Sequence, residues 1–188
     1  MKTRLLVSLL LLLPMFLRAQ HNQSGILKTI LSTYYKNEKP IVKGRAQFLF
    51  LFCEKANNNE ELFETINQLK LSVQETSMLK SRVNTDKAPQ DWSKELAEIA
   101  QSPTSKMLLS KVNTCLALET FQTKQKQSNF NNQRLLIISK PVFYTDGKTA
   151  LVKVVFYRSV EHNYGSILLM KKVGDQWQIA EQLNPWET

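Results

Sequence analysis

Apolar residues recur at two different spacings along the chain, and the change divides it into two parts. Up to about residue 121 they recur every three or four positions, which places side chains on one face of a helix. From Arg134 onward they alternate or form short β-branched and aromatic runs between turn residues, which is typical of strands. Helices first and strands last predict an α+β domain, with an N-terminal helical layer followed by a four-stranded antiparallel β-meander.

Helical spacing or capping residues mark several segments of the first part. Residues 24–36 have apolar positions on one face, and Ser72 with Glu75 forms an S-x-x-E capping box. Six consecutive apolar residues, Phe48–Cys53, are compatible with a buried strand or a buried helix, and we predict a helix because their flanks are helix-compatible. We expect further helices after Asn58 and after Asp91, and the longest one over 106–121, KMLLSKVNTCLALETF.

The second part contains four strand-like segments separated by turn signals. Asp146–Gly147 predicts a tight hairpin turn with Thr145 opposite Lys148, and Gly174–Asp175 predicts a second, with Val173 opposite Gln176. Between them, Glu161–Gly165 is interpreted as a polar hairpin loop. The four segments are RLLIIS, TALVKVVFYRS, GSILLMKKV and QWQIAEQL.

Both faces of the predicted sheet are apolar. In the second strand one face carries Ala150, Val152, Val154 and Phe156, and the other carries Leu151, Lys153, Val155 and Tyr157. Because an exposed apolar face is costly, we expect helices over one face and another part of the chain over some of the second. In the last strand Trp177, Ile179 and Leu183 are expected to share a face.

The first 20 residues, MKTRLLVSLLLLLPMFLRAQ, have the layout of a secretory signal peptide. Positive residues precede an apolar run, Leu5–Leu17, which is shorter than the roughly 20 residues that cross a bilayer. We therefore predict a signal peptide at 1–19 and a periplasmic or secreted protein without a transmembrane segment after cleavage. The remainder, 20–188, is expected to be a single α+β domain with a helical part (20–121), a polar connector (122–133) and a sheet (134–188).

The formal net charge is +9, and part of it is concentrated between residues 106 and 140. Six basic residues in this stretch face only Glu119, which suggests either an anionic partner or a solvated face. We favour the solvated face and do not expect a nucleic-acid partner, since no aromatic residues interleave the lysines as a stacking platform requires. The basic residues are Lys106, Lys111, Lys124, Lys126, Arg134 and Lys140.

Two cysteines, Cys53 and Cys115, remain after the predicted cleavage. In an oxidising compartment such a pair favours a disulfide. The competing interpretation is two buried thiols on helix faces, because cysteine behaves as a small apolar residue. The residues alone leave both interpretations open.

The motifs of several enzyme classes are missing. The sequence contains no phosphate-binding glycine loop, no G-x-S-x-G elbow and no zinc-ligand spacing, so we expect no cofactor and no metal. His162 is the candidate general base of an enzyme, with Glu161 to orient it and Arg158 to stabilise an anion. Adjacent strand residues point to opposite faces, so we favour His162 as a turn residue.

The C-terminal third, ISKPVFYTDGKTALVKVVFYRS followed by GSILLMKKVGDQWQIAEQLNPW, resembles the end of uncharacterised small exported bacterial proteins. A K-P pair, a D-G turn and a G-x-W strand recur in those proteins. Helices before a meander that closes with GDQW are also similar to the cone-shaped nuclear-transport-factor-like superfamily. Members of that superfamily enclose an apolar pocket and include enzymes and binding modules, but their His–Asp dyad has no counterpart here. Similarity of fold does not assign a function.

Four residues of the C-terminal third are candidates for a recognition surface: Tyr157, Arg158, Tyr164 and Trp186. The alternative is that Tyr157 belongs to the sheet core, as Trp177 does, and that Trp186 packs over the end of the sheet after Pro185. Tyrosine, tryptophan and arginine dominate binding hot spots. We therefore expect an exported, non-catalytic protein that binds an unknown protein partner or small-molecule ligand at its sheet or hairpin. The alternatives are a small hydrolase or isomerase that uses His162, and an envelope protein without a discrete site.

Overall fold

A computed structural model describes residues 23–35, 49–56, 60–85, 89–101, 115–127 and 133–188. The predicted signal peptide, the cap at Asn58 and residues 106–114 of the predicted longest helix lie outside these ranges. The helices are α1 (23–35), α2 (Glu60–Gln68), α3 (Val73–Thr85), α4 (Ser93–Ala100) and α5 (Leu118–Gln127). The strands are β1 (Leu49–Phe52), β2 (Cys115–Leu116), β3 (Arg134–Ile138), β4 (Val142–Phe143), β5 (Thr149–Ser159), β6 (His162–Val173) and β7 (Gln176–Glu187).

The strands form one sheet in the order β2-β1-β3-β5-β6-β7, and β4 pairs with β5. The predicted meander is present as β3, β5, β6 and β7, each antiparallel to its neighbour. β1 pairs in parallel with both β2 and β3, so the sheet is mixed and has seven strands within the described part of the chain. The α+β class is confirmed.

The helix predicted over Phe48–Cys53 is wrong, because Leu49–Phe52 forms the strand β1. β1 has a neighbour on each edge, and its side chains enter different cores on the two faces of the sheet. Leu49 and Leu51 belong to one core, while Phe50 and Phe52 pack against the other. A strand buried on both faces is apolar at every position, which leaves no alternation to distinguish it from a buried helix.

The predicted helix over 106–121 and the polar connector over 122–133 both need correction. Cys115–Leu116 is the strand β2, and the helix that follows it continues to Gln127, inside the predicted connector. Phe121 is fully buried and anchors this helix to the sheet. Most of the other α5 residues are glutamine, lysine and glutamate, which have good helix propensity. Their polarity led us to predict a loop.

Helices cover both faces of the sheet. The front face, which carries Ala150, Val152, Val154 and Phe156, packs against α1 and α4. The back face, which carries Leu151, Lys153 and Tyr157, packs against α2, α3 and α5. The predicted division of β5 into two faces is confirmed, and the shelter that we expected over part of the second face is also helical. No helix in the described ranges is long and apolar enough to span a bilayer.

The capping box at the start of α3 is only half formed. The Ser72 hydroxyl accepts the backbone N–H of Glu75 at 3.1 Å, as predicted. The Glu75 carboxylate does not return to the helix start but accepts the N–H and the hydroxyl of Thr145, at 3.1 Å and 2.9 Å. Glu75 therefore fastens α3 to the turn between β4 and β5.

The two glycine-containing turns lie where the sequence predicts them. Tyr144 pairs with Thr149 around Asp146–Gly147, which preserves the predicted register, although only Gly147 has a positive φ (62°). The Asp146 carboxylate supports this turn by accepting the N–H groups of Lys148 and Thr149, both at 2.8 Å. The pairing of Val173 with Gln176 around Gly174 is confirmed.

The predicted loop at Glu161–Gly165 is wrong. The turn between β5 and β6 is formed by Val160 and Glu161, and Ser159 pairs with His162. Residues from His162 onward belong to β6, where Tyr164 pairs with Phe156 on one side and with Glu187 on the other. Main-chain pairing on both sides of β6 therefore overrides the turn preference of its Asn and Gly residues.

The expectation that Trp177, Ile179 and Leu183 share a face is also wrong. Met170 pairs with Ile179 and Leu169 with Glu181, so one extra β7 residue, Ala180, forms a bulge. The bulge shifts the alternation by one position. Leu183 consequently packs in the back core, while Trp177 and Ile179 pack in the front core.

Candidate functional site: the hairpin end of the sheet

The C-terminal end of α5, the start of β3 and the β5–β6 turn meet at one end of the sheet, which we call the hairpin end. The Gln125 side-chain amide connects them, because it donates to the carbonyl oxygens of Arg158 at 2.8 Å and Gln133 at 3.4 Å. The consecutive elements α5 and β3 therefore meet the more distant β5–β6 hairpin here.

An aromatic cluster lies on the front face at this end. The Tyr164 ring stacks on the Phe156 ring, with centroids 4.6 Å apart and an interplanar angle of 12°. Tyr34 of α1 meets Phe156 edge to face at a centroid distance of 4.8 Å. Phe156 is buried, whereas Tyr164 keeps 38% of its surface exposed. The Tyr164 side chain is thus fixed by stacking on Phe156 and is still accessible to solvent.

Arg134 completes this cluster from β3. Its guanidinium carbon lies 5.6 Å from the centre of the Tyr164 ring, and Nη1 donates to the Tyr164 hydroxyl at 3.1 Å. None of the described carboxylates forms an ion pair with Arg134. The Tyr164 ring and hydroxyl therefore orient this cation without neutralising it.

Other charged residues surround this pair. Leu135 pairs with Tyr157, so the next residues on the two strands, Arg134 and Arg158, lie side by side at the end of the ladder. Lys124 and Lys126 in the last turn of α5 belong to the back face, where the Lys124 ammonium lies 5.7 Å from the centre of the Phe50 ring. The nearby acids are Glu161 in the turn and Glu187, which pairs with Tyr164. At the hairpin end the two arginines are thus accompanied by two glutamates.

Tyr34 remains protonated over the physiological range. Burial, with a smaller contribution from Tyr164, raises the pKa of Tyr34 to about 12. The cluster therefore contributes an aromatic ring and a neutral hydroxyl from α1, and its positive charge comes from arginine.

The structure divides the four predicted recognition residues between two faces. Arg158 and Tyr164 lie at the hairpin end beside Arg134, whereas Tyr157 and Trp186 belong to the back face. Tyr157 packs edge to face on Phe121 at 6.1 Å, and Trp186 lies within 5.6 Å of the Lys153 ammonium. Because strand residues alternate between faces, neighbours in sequence are separated in space.

Sequence reasoning missed Arg134, Phe156 and Tyr34 as members of this cluster. Arg134 was counted only within a basic stretch, and Phe156 and Tyr34 only as apolar positions. The pairing of β3 with β5 and the packing of α1 on the front face bring the three together. The one available signal was the predicted alternation of β5, since it places Phe156 and Arg158 on the same face of the sheet.

His162 is an exposed residue at the start of β6. Its Nδ1 lies 3.2 Å from the Ser159 hydroxyl oxygen across the hairpin. Glu161 occupies the turn, and among the described residues no carboxylate forms an ion pair with the imidazole. His162 is therefore the first residue of β6 and not the turn residue that we favoured.

Two buried lysines each form an ion pair in the part of the chain that the structure describes. Lys55 Nζ lies 2.7 Å from Glu95 Oε1 and 4.6 Å from the centre of the Trp92 ring. Lys153 Nζ lies 2.7 Å from Glu61 Oε2 on the back face. Both ammonium groups are nearly inaccessible to solvent and face their partners inside the packed layers, so we regard these pairs as structural.

The described part of the chain brings together no group of three or more acidic, histidine or cysteine side chains that could hold a metal ion. A groove of about 800 Å³ runs along α3 and is open to solvent. It is lined by Val73, Gln74, Ser77, Met78, Ser81 and Arg82, none of which was a predicted site residue.

Cys53 and Cys115 form a disulfide, which resolves the alternative left open by the sequence.

Comparisons with protein-family models, with curated proteins and with solved structures find no match to this chain. The two resemblances of the C-terminal third therefore stay predictions.

Proposed function

We propose that this protein is an exported, non-catalytic binding protein that engages a protein partner through the front face of its hairpin end. The observation that carries the proposal is the Arg134–Tyr164 pair. The exposed Tyr164 ring stacks on the buried Phe156, and the Tyr164 hydroxyl accepts a hydrogen bond from Arg134. Among the described residues no carboxylate forms an ion pair with Arg134.

Such a pair suits recognition because its geometry already exists in the free protein. Tyrosine and arginine supply much of the binding energy in protein interfaces. Side chains that are held before binding lose less conformational entropy when the complex forms. Val160 at the tip of the hairpin, 80% exposed, adds apolar surface beside them.

Three further features support export and a binding role. The signal-peptide pattern of the first 20 residues predicts secretion. The Cys53–Cys115 disulfide fits that prediction, because disulfides persist in oxidising compartments. The exposure of His162 favours binding over a reaction, since a general base acts best in a site from which water is excluded.

The test compares capture of proteins from the extracellular and envelope fractions by immobilised wild-type protein and by surface variants. Tyr164→Ala and Arg134→Ala remove the pair, whereas Val173→Ala truncates an exposed apolar residue at the opposite end of the sheet. We expect one protein to be captured by the wild type and by Val173→Ala and lost from the other two. Purified, it should bind Tyr164→Ala about 30-fold more weakly, as expected for a hot spot of about 2 kcal/mol.

Equal binding of that protein to the wild type and to Tyr164→Ala would contradict the proposal. His162→Ala serves as a second control, and it should capture the partner at the wild-type level. If His162→Ala loses capture while Tyr164→Ala and Arg134→Ala retain it, the proposal is wrong and the partner binds through the imidazole.

A further inference from the structure

The two glutamates at the hairpin end have no counter-ion in the described part of the chain. Glu187 pairs with Tyr164 across β6 and β7, so its side chain lies on the front face beside the Tyr164 ring. Glu161 lies in the β5–β6 turn. Both residues are exposed, and neither forms an ion pair with a described residue. Together with Arg134, they give the hairpin end unpaired charges of both signs.

The charge changes sign across the front face from β3 to β7. The strand order here is β3-β5-β6-β7, which places Tyr164 of β6 between Arg134 of β3 and Glu187 of β7. Arg134 reaches the Tyr164 ring and hydroxyl from the β3 side, and Glu187 adjoins Tyr164 on the other side. The exposed aromatic ring therefore has a cation on one flank and an anion on the other.

A surface with this arrangement is complementary to a second copy of itself. In a twofold-symmetric dimer both subunits use the same patch, so each contact between two residues occurs twice. An axis parallel to the strands and passing beside Tyr164 places Arg134 of each copy opposite Glu187 of the other and brings the two Tyr164 side chains together between these pairs. Two ion pairs then flank an aromatic centre, and aromatic residues are enriched in the core of protein interfaces.

A ligand of a single charge sign fits this surface less well. An acidic segment that approaches Arg134 meets the two glutamates, and a basic segment that approaches Glu187 meets Arg134. A partner needs both signs in the reversed order across its surface, and a second copy of this chain presents that order after rotation about the axis. Charge complementarity therefore favours the chain itself as the partner.

We infer that the hairpin end is a self-association surface, on which Arg134 of one copy pairs with Glu187 of another and Tyr164 lies at the centre of the contact. Arg134 keeps its hydrogen bond to Tyr164 in the dimer, because a guanidinium has five N–H donors and that bond uses one. This inference rests on the proposed function and names the partner. The protein captured through Tyr164 is then the chain itself.

Sedimentation equilibrium of the purified protein tests the inference. We expect the wild type to show a reversible monomer–dimer equilibrium as the loading concentration rises from micromolar to millimolar. Arg134→Glu and Glu187→Arg should each raise the dissociation constant of the dimer about 100-fold, because each substitution places like charges opposite one another at both contacts. Lys171→Glu, a charge reversal at an exposed position toward the opposite end of β6, should dimerise as the wild type does.

The decisive measurement exchanges the charges between the two positions. An equimolar mixture of Arg134→Glu and Glu187→Arg should form a heterodimer about as tightly as the wild type dimerises, since each reversed charge then meets its opposite. The variant that carries both substitutions should likewise dimerise with itself. Because mixing cannot repair a misfolded variant, the rescue distinguishes a lost contact from a lost fold.

Three results would each overturn the inference: a wild type that remains monomeric at millimolar concentration, single variants that dimerise as the wild type does, or a mixture that stays monomeric. If the wild type is monomeric while capture of a different protein depends on Tyr164, the proposed function stands and the partner is not a second copy. If capture does not depend on Tyr164, the proposed function fails, whatever the sedimentation shows.

Discussion

Gly165 determines how the last aromatic residue of the chain lies on the sheet. A Cβ atom at this position would stand 2.7 Å from Trp186 Cε2 and 2.8 Å from the carbonyl oxygen of Val154. Gly165 and Trp186 are paired across β6 and β7, so the indole occupies the space of the missing side chain. The same indole then reaches the ammonium group of the buried Lys153.

Gly165→Ala should destabilise the protein by about 1–3 kcal/mol, the usual cost of forcing an extra methyl group into a packed site. The measurement is the free energy of unfolding from urea denaturation. Combining it with Trp186→Ala should recover only part of the loss, because the contact with the Val154 carbonyl remains.

His162→Ala on the same strand is the matched control for this substitution. The imidazole is exposed, so its removal should change the free energy of unfolding by no more than about 0.5 kcal/mol. If Gly165→Ala also changes the free energy of unfolding by no more than about 0.5 kcal/mol, the packed position of the Trp186 indole does not require a glycine at residue 165.

At the scale of elements, a buried ion pair connects α4 to the end of β1. Lys55, just after β1, meets Glu95 of α4 at 2.7 Å, and the two side chains are 5% and 9% exposed. The Gln23 side-chain oxygen accepts a second hydrogen bond from the same ammonium at 2.8 Å. Trp92, fully buried, lies beside the pair. α4 is thus held by a polar contact inside an apolar layer.

Glu95→Ala should lower the free energy of unfolding by about 3–5 kcal/mol, because it leaves the Lys55 ammonium buried without its counter-ion. Replacing both residues, Lys55→Met with Glu95→Leu, should restore much of the loss, since no charge then remains buried. Urea denaturation of the single and double variants measures both effects.

The exposed pair Lys172–Asp175, at 3.8 Å, is the control for the buried one. Lys172→Ala should cost at most about 1 kcal/mol, because solvent screens the pair. If Glu95→Ala and Lys172→Ala lower the free energy of unfolding by similar amounts, the buried ion pair is no more important for stability than the exposed one.

Local pattern predicted those elements whose stabilising contacts are close in sequence. Helix α1, the meander and the two glycine-containing turns have their signals within a few residues, and they were predicted correctly. β1 and β2 were missed because their partners are parallel strands far along the chain. α5 was missed at its end because one buried phenylalanine holds an otherwise polar helix.

At the scale of the whole molecule, the candidate site was likewise predicted only where its signals are local in sequence. Arg158 and Tyr164 were chosen from residue type and proximity to the hairpin, and they do lie at one end of the sheet. The choice of Tyr157 and Trp186 ignored the alternation of faces, and Arg134 enters only through the pairing of β3 with β5. A surface made from several strands requires the register as well as the residue types.

The disulfide ties together distant parts of the whole molecule. Cys53 and Cys115 are 62 residues apart, and the bond joins the end of β1 to the start of β2. The intervening chain includes α2, α3 and α4, which pack on both faces of the sheet. The cross-link therefore restricts the unfolded chain over about a third of its length.

Replacing both cysteines with alanine should lower the free energy of unfolding by about 4 kcal/mol, the loop-closure entropy expected for a loop of this size. Treating the wild type with dithiothreitol before urea denaturation should have a similar effect, whereas the double variant should unfold identically with and without the reductant. The variant thereby controls for other effects of the reducing agent. If the reduced and oxidised wild-type proteins unfold at the same urea concentration, the bond does not stabilise the fold, and the β1–β2 pairing must be maintained by its hydrogen bonds and by the apolar layers on either side.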